Sequence, residues 1–458
     1  NNVNPDISAY GTFIFCDNIV NRCNKGCFIR APKLESKPTI ERNIFEEITH
    51  DNKYMISITY NQNEIEFNNN TFSRIKTSSN CGGIGILIAN SNDDCTIKYT
   101  KCIFDSNEAL ESHGGSICYG YSSSSNANIE IIESKFRANK VSGGHGGGIA
   151  IRTNKAVNIR NCQFEANIAN SQGDTNGDKG FGGAIYISTS FDSQCMMSVS
   201  ISGCTFNDNL AYQGYSIYLQ GSTTACNTII TINNNNQFNN DHETETHPQI
   251  GSIIASEITT IDIEAIEKSN GFTNTNDEIR HIILVDTIGN PLPDPTETPT
   301  SVPETPTSVP NTPTSVPETP TPDLPTFVED IIFDDSNYTE NEPNRTRIEK
   351  VIEKDDTSSI AITVKKSAFT GIENDNGGAI HIENCGLKTD GTVFTECKSK
   401  SGGGGAIFVE NTGDSINNVL FNGLTFIRCK AEYGGGAYVY SSSTTNKVEI
   451  GSCEFINN

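Results

Sequence analysis

VNIRNCQFEANIANSQGDTNGDKGFGGAIYI, residues 157–187, decides how the rest of the chain is read. Val157 and Ile159 alternate with polar neighbours, as in a half-buried strand. Asn161-Cys162-x-Phe164-x-x-Asn167 follows, and after a polar loop the chain reads Gly182-Gly183-Ala184-Ile185-Tyr186-Ile187. These are three short period-2 segments separated by turns.

The two signatures recur along the chain. Phe-x-x-Asn stands at Phe104/Asn107, Phe136/Asn139, Phe164/Asn167, Phe206/Asn209 and Phe455/Asn458, and the Asn slot holds Cys after Phe394 and Phe426 and Ile372 after Phe369. Gly-Gly-Ala-Ile is complete at 377–380 and 404–407, and carries one substitution at 114–117, 146–149 and 435–438. A period of roughly 25–42 residues marks a solenoid. Strands this short, without two-residue hairpin turns between them, pair most economically with their equivalents on the coils above and below. Phe, Ile and Val then point inward and stack on their own kind at about 4.8 Å. Asn at a fixed turn forms an amide ladder, and the glycines sit where the chain bends with positive φ or passes close to another backbone. The expectation is an all-β, right-handed parallel β-helix.

Composition excludes several functions. Asp and Glu number 56 against 32 Lys and Arg, a net charge of −24 that repels nucleic acid and anionic membrane surfaces. No apolar run approaches the ~20 residues of a membrane span, and Asn1 opens no secretory leader. The chain stops at 458 within a repeat, so the sequence reads as a piece of an extracellular or cell-surface protein whose targeting and anchoring segments lie elsewhere.

Three regions follow. Residues 1–290 form a β-helix whose first 70 residues are irregular and whose signature decays after Ile229. Residues 291–325, PLPDPTETPTSVPETPTSVPNTPTSVPETPTPDLP, repeat a Thr/Pro heptad and favour an extended, semi-rigid polyproline stalk suited to O-glycosylation. Residues 326–458 form a second β-helical segment, its first coil built from Ile360–Val364 and Phe369.

Fifteen cysteines leave at least one unpaired. Cys102, Cys162, Cys204 and Cys453 each lie two residues before a motif Phe and read as buried small side chains, with disulfides between coils as the alternative. Cys195 and Cys226, in loops of adjacent coils, are the disulfide candidate. Cys16, Cys23 and Cys27 lack a fourth partner at zinc spacing. Asn69, Asn337 and Asn344 head N-glycosylation sequons.

The paired GGA[I/L/V] and FxxN tetrapeptides, alternating over about 72–219 and 369–458, resemble the repeats of the polymorphic outer-membrane protein (Pmp) family, and similar repeats occur in surface proteins of some parasitic protists. The resemblance implies a β-helical surface protein used in adhesion. Two departures are a membrane β-barrel, which the chain does not show, and the Thr/Pro stalk, which is not a usual feature of that family.

The chemistry is weighed on the coil's faces. Gly144-His145-Gly146 and Arg74-Ile75-Lys76 match polygalacturonase signatures, but in the wrong order and without Asn-Thr-Asp. The residue after each motif Phe points outward, giving a column Asp105, Arg137, Glu165, Asn207. Asp105 and Glu165 would be roughly 9.5 Å apart, the upper edge of an inverting glycosidase pair. The same column suits a surface ion-pair ladder, which is preferred. Asp174-x-Asn176-x-Asp178 begins like a calcium loop, but Lys179 and Ile185 stand where glycine and glutamate are needed. No metal or cofactor is expected. On the Gly-Gly strand, the outward position reads Cys118, Ala150, Tyr186, Tyr218, then His381, Phe408, Val439. Tyr186, Tyr218, His381 and Phe408 are the candidate binding stripe, against cross-coil stacking that only steadies the sheet. The expectation is a non-catalytic surface repeat protein, an adhesin for a host-cell or extracellular-matrix protein or glycan. The alternative is a pectin-lyase-like carbohydrate-active enzyme using Asp105, Arg137 and Glu165.

Overall fold

A computed structural model describes residues 6–9, 11–22, 28–34, 36–50, 55–60, 64–78, 86–89, 95–111, 113–121, 127–170, 180–188, 195–220, 226–233, 235–239, 250–253, 266, 268–272, 282–285, 329–334, 337–339, 348–351, 360–412 and 416–458. Every strand pair described is parallel, and the chain winds as a parallel β-helix. Each coil contributes a leading strand such as 157–160, a three-residue Phe strand such as 163–165, and, past a short bridging strand such as 168–169, a Gly-Gly strand such as 185–188. Leading strands stack into a 13-stranded sheet and Phe strands into a 14-stranded one.

Two turns per coil explain why these sequences bend where they do. The residue before each inward turn position adopts left-handed backbone although it is rarely glycine: Lys101, Ser106, Glu133, Ala138, Asn161 and Ala166 have φ between 50° and 56°. That strain is offset by the next residue, whose side chain enters the coil and hydrogen-bonds the backbone of its neighbour. After the Phe strand this residue is Asn107, Asn139, Asn167 or Asn209. Asn139 Nδ2 donates to Phe104 O at 3.0 Å, and its Oδ1 accepts from Asn107 N–H at 3.1 Å. The Asn of the tetrapeptide is thus a bridge between coils, and the residue before it is the one in the left-handed region.

The Phe column is the spine of the core. Phe72, Phe104, Phe136, Phe164, Phe206, Phe238 and Phe272 stack with ring centroids 4.5–5.3 Å apart, and Phe369, Phe394, Phe426 and Phe455 at 4.8–5.0 Å. Facing this column is the third position of the Gly-Gly motif, which must be small. A Cβ at Gly436 would meet Phe455 Cδ1 at 3.1 Å and Phe426 Cγ at 3.2 Å. The second glycine has a different reason: a Cβ at Gly147 would overlap the carbonyl oxygen of Gly183 on the next coil.

Three features differ from the sequence reading. First, the register of the last Gly-Gly strand is one residue earlier than its tetrapeptide suggests. Ile407 pairs with Ala437, so the motif there is Gly434 to Ala437, with Gly434 in the left-handed region. Tyr438 therefore takes the outward place beside Phe408, and Val439 is fully buried. Second, the segment after the Thr/Pro stretch begins a coil earlier: 329–334 and 337–339 pair with 360–365 and 368–370. Third, the described residues between 6 and 50 fall in regular coils whose signature is different. Val20 and Phe45 hold the Phe place and Asn18, Asn43 and Asn70 the leading turn.

The two segments share their sheets. Asp6–Ala9 pairs with Tyr438–Ser441, Thr12–Cys16 with Lys447–Gly451, and Ile19–Asn21 with Glu454–Ile456. The last coil of the second segment lies against the first coil of the first. The Thr/Pro stretch 291–325 lies outside the described residues.

Candidate functional site

The Phe sheet is bounded on both sides by short turns. Lys101-Cys102 and Ser106-Asn107 bound the strand 103–105, Glu133-Ser134 and Ala138-Asn139 bound 135–137, and Asn161-Cys162 and Ala166-Asn167 bound 163–165. A turn with one left-handed residue cannot carry a wall-forming loop. The column beneath is in register as Asp105, Arg137, Glu165, Asn207. Arg137 grips Asp105 with both arms, Nε to Oδ1 at 2.8 Å and Nη2 to Oδ2 at 3.1 Å. The guanidinium holds the Asp105 carboxyl below the usual carboxylate range. A carboxylate so held is a poor proton donor near neutrality.

Other exposed pairs continue the pattern. Arg42 bridges Asp17, Arg22 and Arg74 share Glu47, and Lys76 and Lys140 flank Glu108. Such solvated pairs are screened by water and salt, and fix register between coils more than they stabilise.

The position before each Phe also points outward, and sequence reasoning passed over it. Along successive coils it reads Val393, Thr425, Glu454, Ile19, Ile44, Thr71, Ile103, then Lys135 and Gln163. Ile44, Ile103 and Val393 are 39%, 41% and 39% exposed. With the half-exposed Ile19 and Thr71 on intervening coils, Ile44 and Ile103 form a row of β-branched side chains along one outward column. The available signal was the residue preceding each motif Phe or its Val20 substitute.

The predicted aromatic stripe is in register but covered. Tyr186 pairs with Tyr218, and both are almost fully buried, as are Cys118 and Ala150 beside them. The chain around 113–121 and 180–182 lies over them. His113 stacks on Tyr121 at 4.2 Å, His145 on Tyr186 at 4.6 Å, and Phe181 on Tyr218 at 4.6 Å. Outward on a strand is not exposed when the adjoining turn folds back over it. In the second segment Phe408 is buried and stacks on Tyr438 at 5.0 Å, while His381 meets Phe408 edge-on and bonds Glu383.

His145 is held on both sides. His145 N–H donates to His113 Nδ1 at 3.1 Å, and Phe181 N–H donates to His145 Nδ1 at 3.3 Å. Accepting at Nδ1 requires neutral imidazoles, and burial pushes the His145 pKa from 6.5 down to about 4. The unfolded chain binds this proton first, so stability is full above about pH 6.5 and falls as pH drops toward 4, by at most about 3 kcal/mol. Urea midpoints at pH 7 and pH 4.5 are expected to show this fall. His145→Gln, the residue the column carries at Gln213, should reduce the fall; an unchanged slope would contradict the assignment.

The cysteines at the leading turn lie inside. Cys102, Cys162, Cys204 and Cys453 are fully buried, and the first three point at a carbonyl of the preceding coil, as Cys102 Sγ to Phe67 O at 3.3 Å. They do the work of the Asn residues in the same column, and burial pushes the Cys102 and Cys453 thiols up to about 12. Cys195 and Cys226 are directly in register on adjacent strands, so their backbones satisfy the spacing of a disulfide. Asn69 is an exposed left-handed turn residue, and Asn337 begins a strand. Asn344, Asp174–Asp178, Cys23 and Cys27 lie outside the described residues.

Among the described residues no three His, Cys, Asp or Glu side chains are placed to hold a metal ion, and no helix is long and apolar enough to cross a membrane. Comparison with family models, with curated proteins and with solved structures finds no match to this chain.

Proposed function

We propose that this chain is a non-catalytic repeat protein of the cell surface or extracellular space, and that the open face of its Phe sheet adheres to a host-cell or extracellular-matrix protein or glycan. The observation that carries this reading is the row of exposed and half-exposed β-branched residues Ile19, Ile44, Thr71 and Ile103 on a sheet whose described turns each hold a single left-handed residue. A polysaccharide-cleaving site needs a cleft that excludes water and grips several sugar rings. An adhesive face needs a broad, rigid area with apolar anchors in a polar surround. The charged columns beside the isoleucines supply the surround, and the resemblance to Pmp repeats points the same way.

The test is attachment of the purified full chain to cultured cells and to immobilised matrix extract. Ile44→Asp with Ile103→Asp should lower attachment at least tenfold, with an unchanged circular dichroism spectrum because neither side chain enters the core. Equal attachment by the double variant would remove this face from the account.

A further inference from the structure

The meeting of the two chain regions in mid-stack is the least expected contact in the molecule. A coil edge exposes a row of unpaired backbone groups, and leaving two such edges bare invites association with other chains. Here they satisfy each other. Ile19 N–H donates to Cys453 O at 2.8 Å, Thr12 N–H to Asn446 O at 3.1 Å, and Ser452 N–H to Cys16 O at 3.1 Å. The side-chain ladder also crosses without a break. Asn18 Oδ1 accepts from Cys453 N–H at 3.0 Å, Asn18 Nδ2 donates to Ile450 O at 2.9 Å, and Asn18 N–H donates onward to Asn43 Oδ1 at 3.0 Å. Val20 pairs with Phe455 on one side and Phe45 on the other, closing the core column. Each sheet is paired here as it is between 407–427 and 437–456, where the coils are joined through the chain.

The covalent connection contributes little to this placement. Strand 337–339 and strand 271–272 are the two ends of the 14-stranded sheet, about 62 Å apart at 4.8 Å per spacing. Forty-three residues, the number between Val285 and Glu329, would reach roughly 130 Å if extended as polyproline. A tether twice as long as its span raises the local concentration of the segment and imposes no register; the coil edge imposes the register.

We infer that the edge formed by residues 6–21 is a docking surface for residues 437–456 of the same chain, and that it holds when the Thr/Pro stretch is cut. The protein is then a two-piece solenoid, and proteolysis in that stretch nicks it without releasing the piece beyond.

A specific protease site placed within residues 300–320 of the full chain tests this. After cutting, light scattering behind size exclusion at micromolar concentration should give one species at the intact mass of 49.7 kDa; two separate species would overturn the inference. In a second arm, Thr12→Cys with Lys447→Cys places thiols at paired positions. After oxidation and cutting, a denaturing non-reducing gel should retain one band at the intact mass. Separate fragments, or bands linking two copies, would show that this edge is not where the segment of the same chain docks.

Discussion

Replacing Phe136 with alanine is expected to cost about 3–5 kcal/mol, because the ring is fully buried and has a stacked neighbour on both sides. Phe104 lies at 4.5 Å and Phe164 at 4.9 Å, both near parallel, so the truncation removes two ring contacts as well as leaving a cavity. The stiff backbone on either side cannot collapse into the void, since each strand is hydrogen-bonded above and below. A solenoid responds locally, so the loss should be concentrated in the coils holding 103–105 and 163–165. Amide exchange in those strands should quicken while strands near 426 and 455 stay protected. Phe136→Leu should cost much less. If the alanine variant keeps its denaturation midpoint and exchange pattern, the column is not the spine of the core.

The second large effect is expected at Asn139. Asn139→Leu nearly keeps the volume but removes an acceptor for Asn107 N–H and a donor to Phe104 O. Two buried backbone groups lose their partners, at about 1–3 kcal/mol each, so a loss of about 2–6 kcal/mol is expected. Asn139→Cys should be milder. Cys397 and Cys429 hold the same place in the second segment, and each thiol points at the carbonyl of the preceding Phe at 3.6 Å. A leucine variant as stable as the native chain would show that the Asn ladder is not carrying these groups.

The same comparison shows how far the sequence could be read. Phe104, Phe136, Phe164 and Phe206 announce themselves because each lies in an unbroken local pattern whose meaning is packing against its own copies. The coils before Phe72 do not, because Val20 replaces Phe and Ile48 and Ile75 replace Asn in the second turn; the geometry survives on Asn18, Asn43 and Asn70 at the first. At the last Gly-Gly strand the run Gly434-Gly435-Gly436 fits two registers, and only pairing with Ile407 chooses between them.

The candidate site was less legible than the fold. Period 2 tells that Tyr186 and Tyr218 leave the core side of their strand, but not that Phe181 and His145 fold back to cover them. Asp105 and Arg137 were legible as neighbours because the repeat fixes their register. The contact between residues 6–21 and 437–456 has no local signature, since each edge carries the same period as any other coil.

Nitroxide distances along one outward column test the account most directly. A label at Val393 paired in turn with one at Ile44, Ile103, Gln163 or Gln237 samples four, six, eight and ten coil spacings. The expected distances are about 19, 29, 38 and 48 Å, rising linearly at about 4.8 Å per coil and passing the junction near Ile19 without a step. Distances that fail to grow in that order, or that are broad for every pair beginning at Val393, would contradict a single continuous stack.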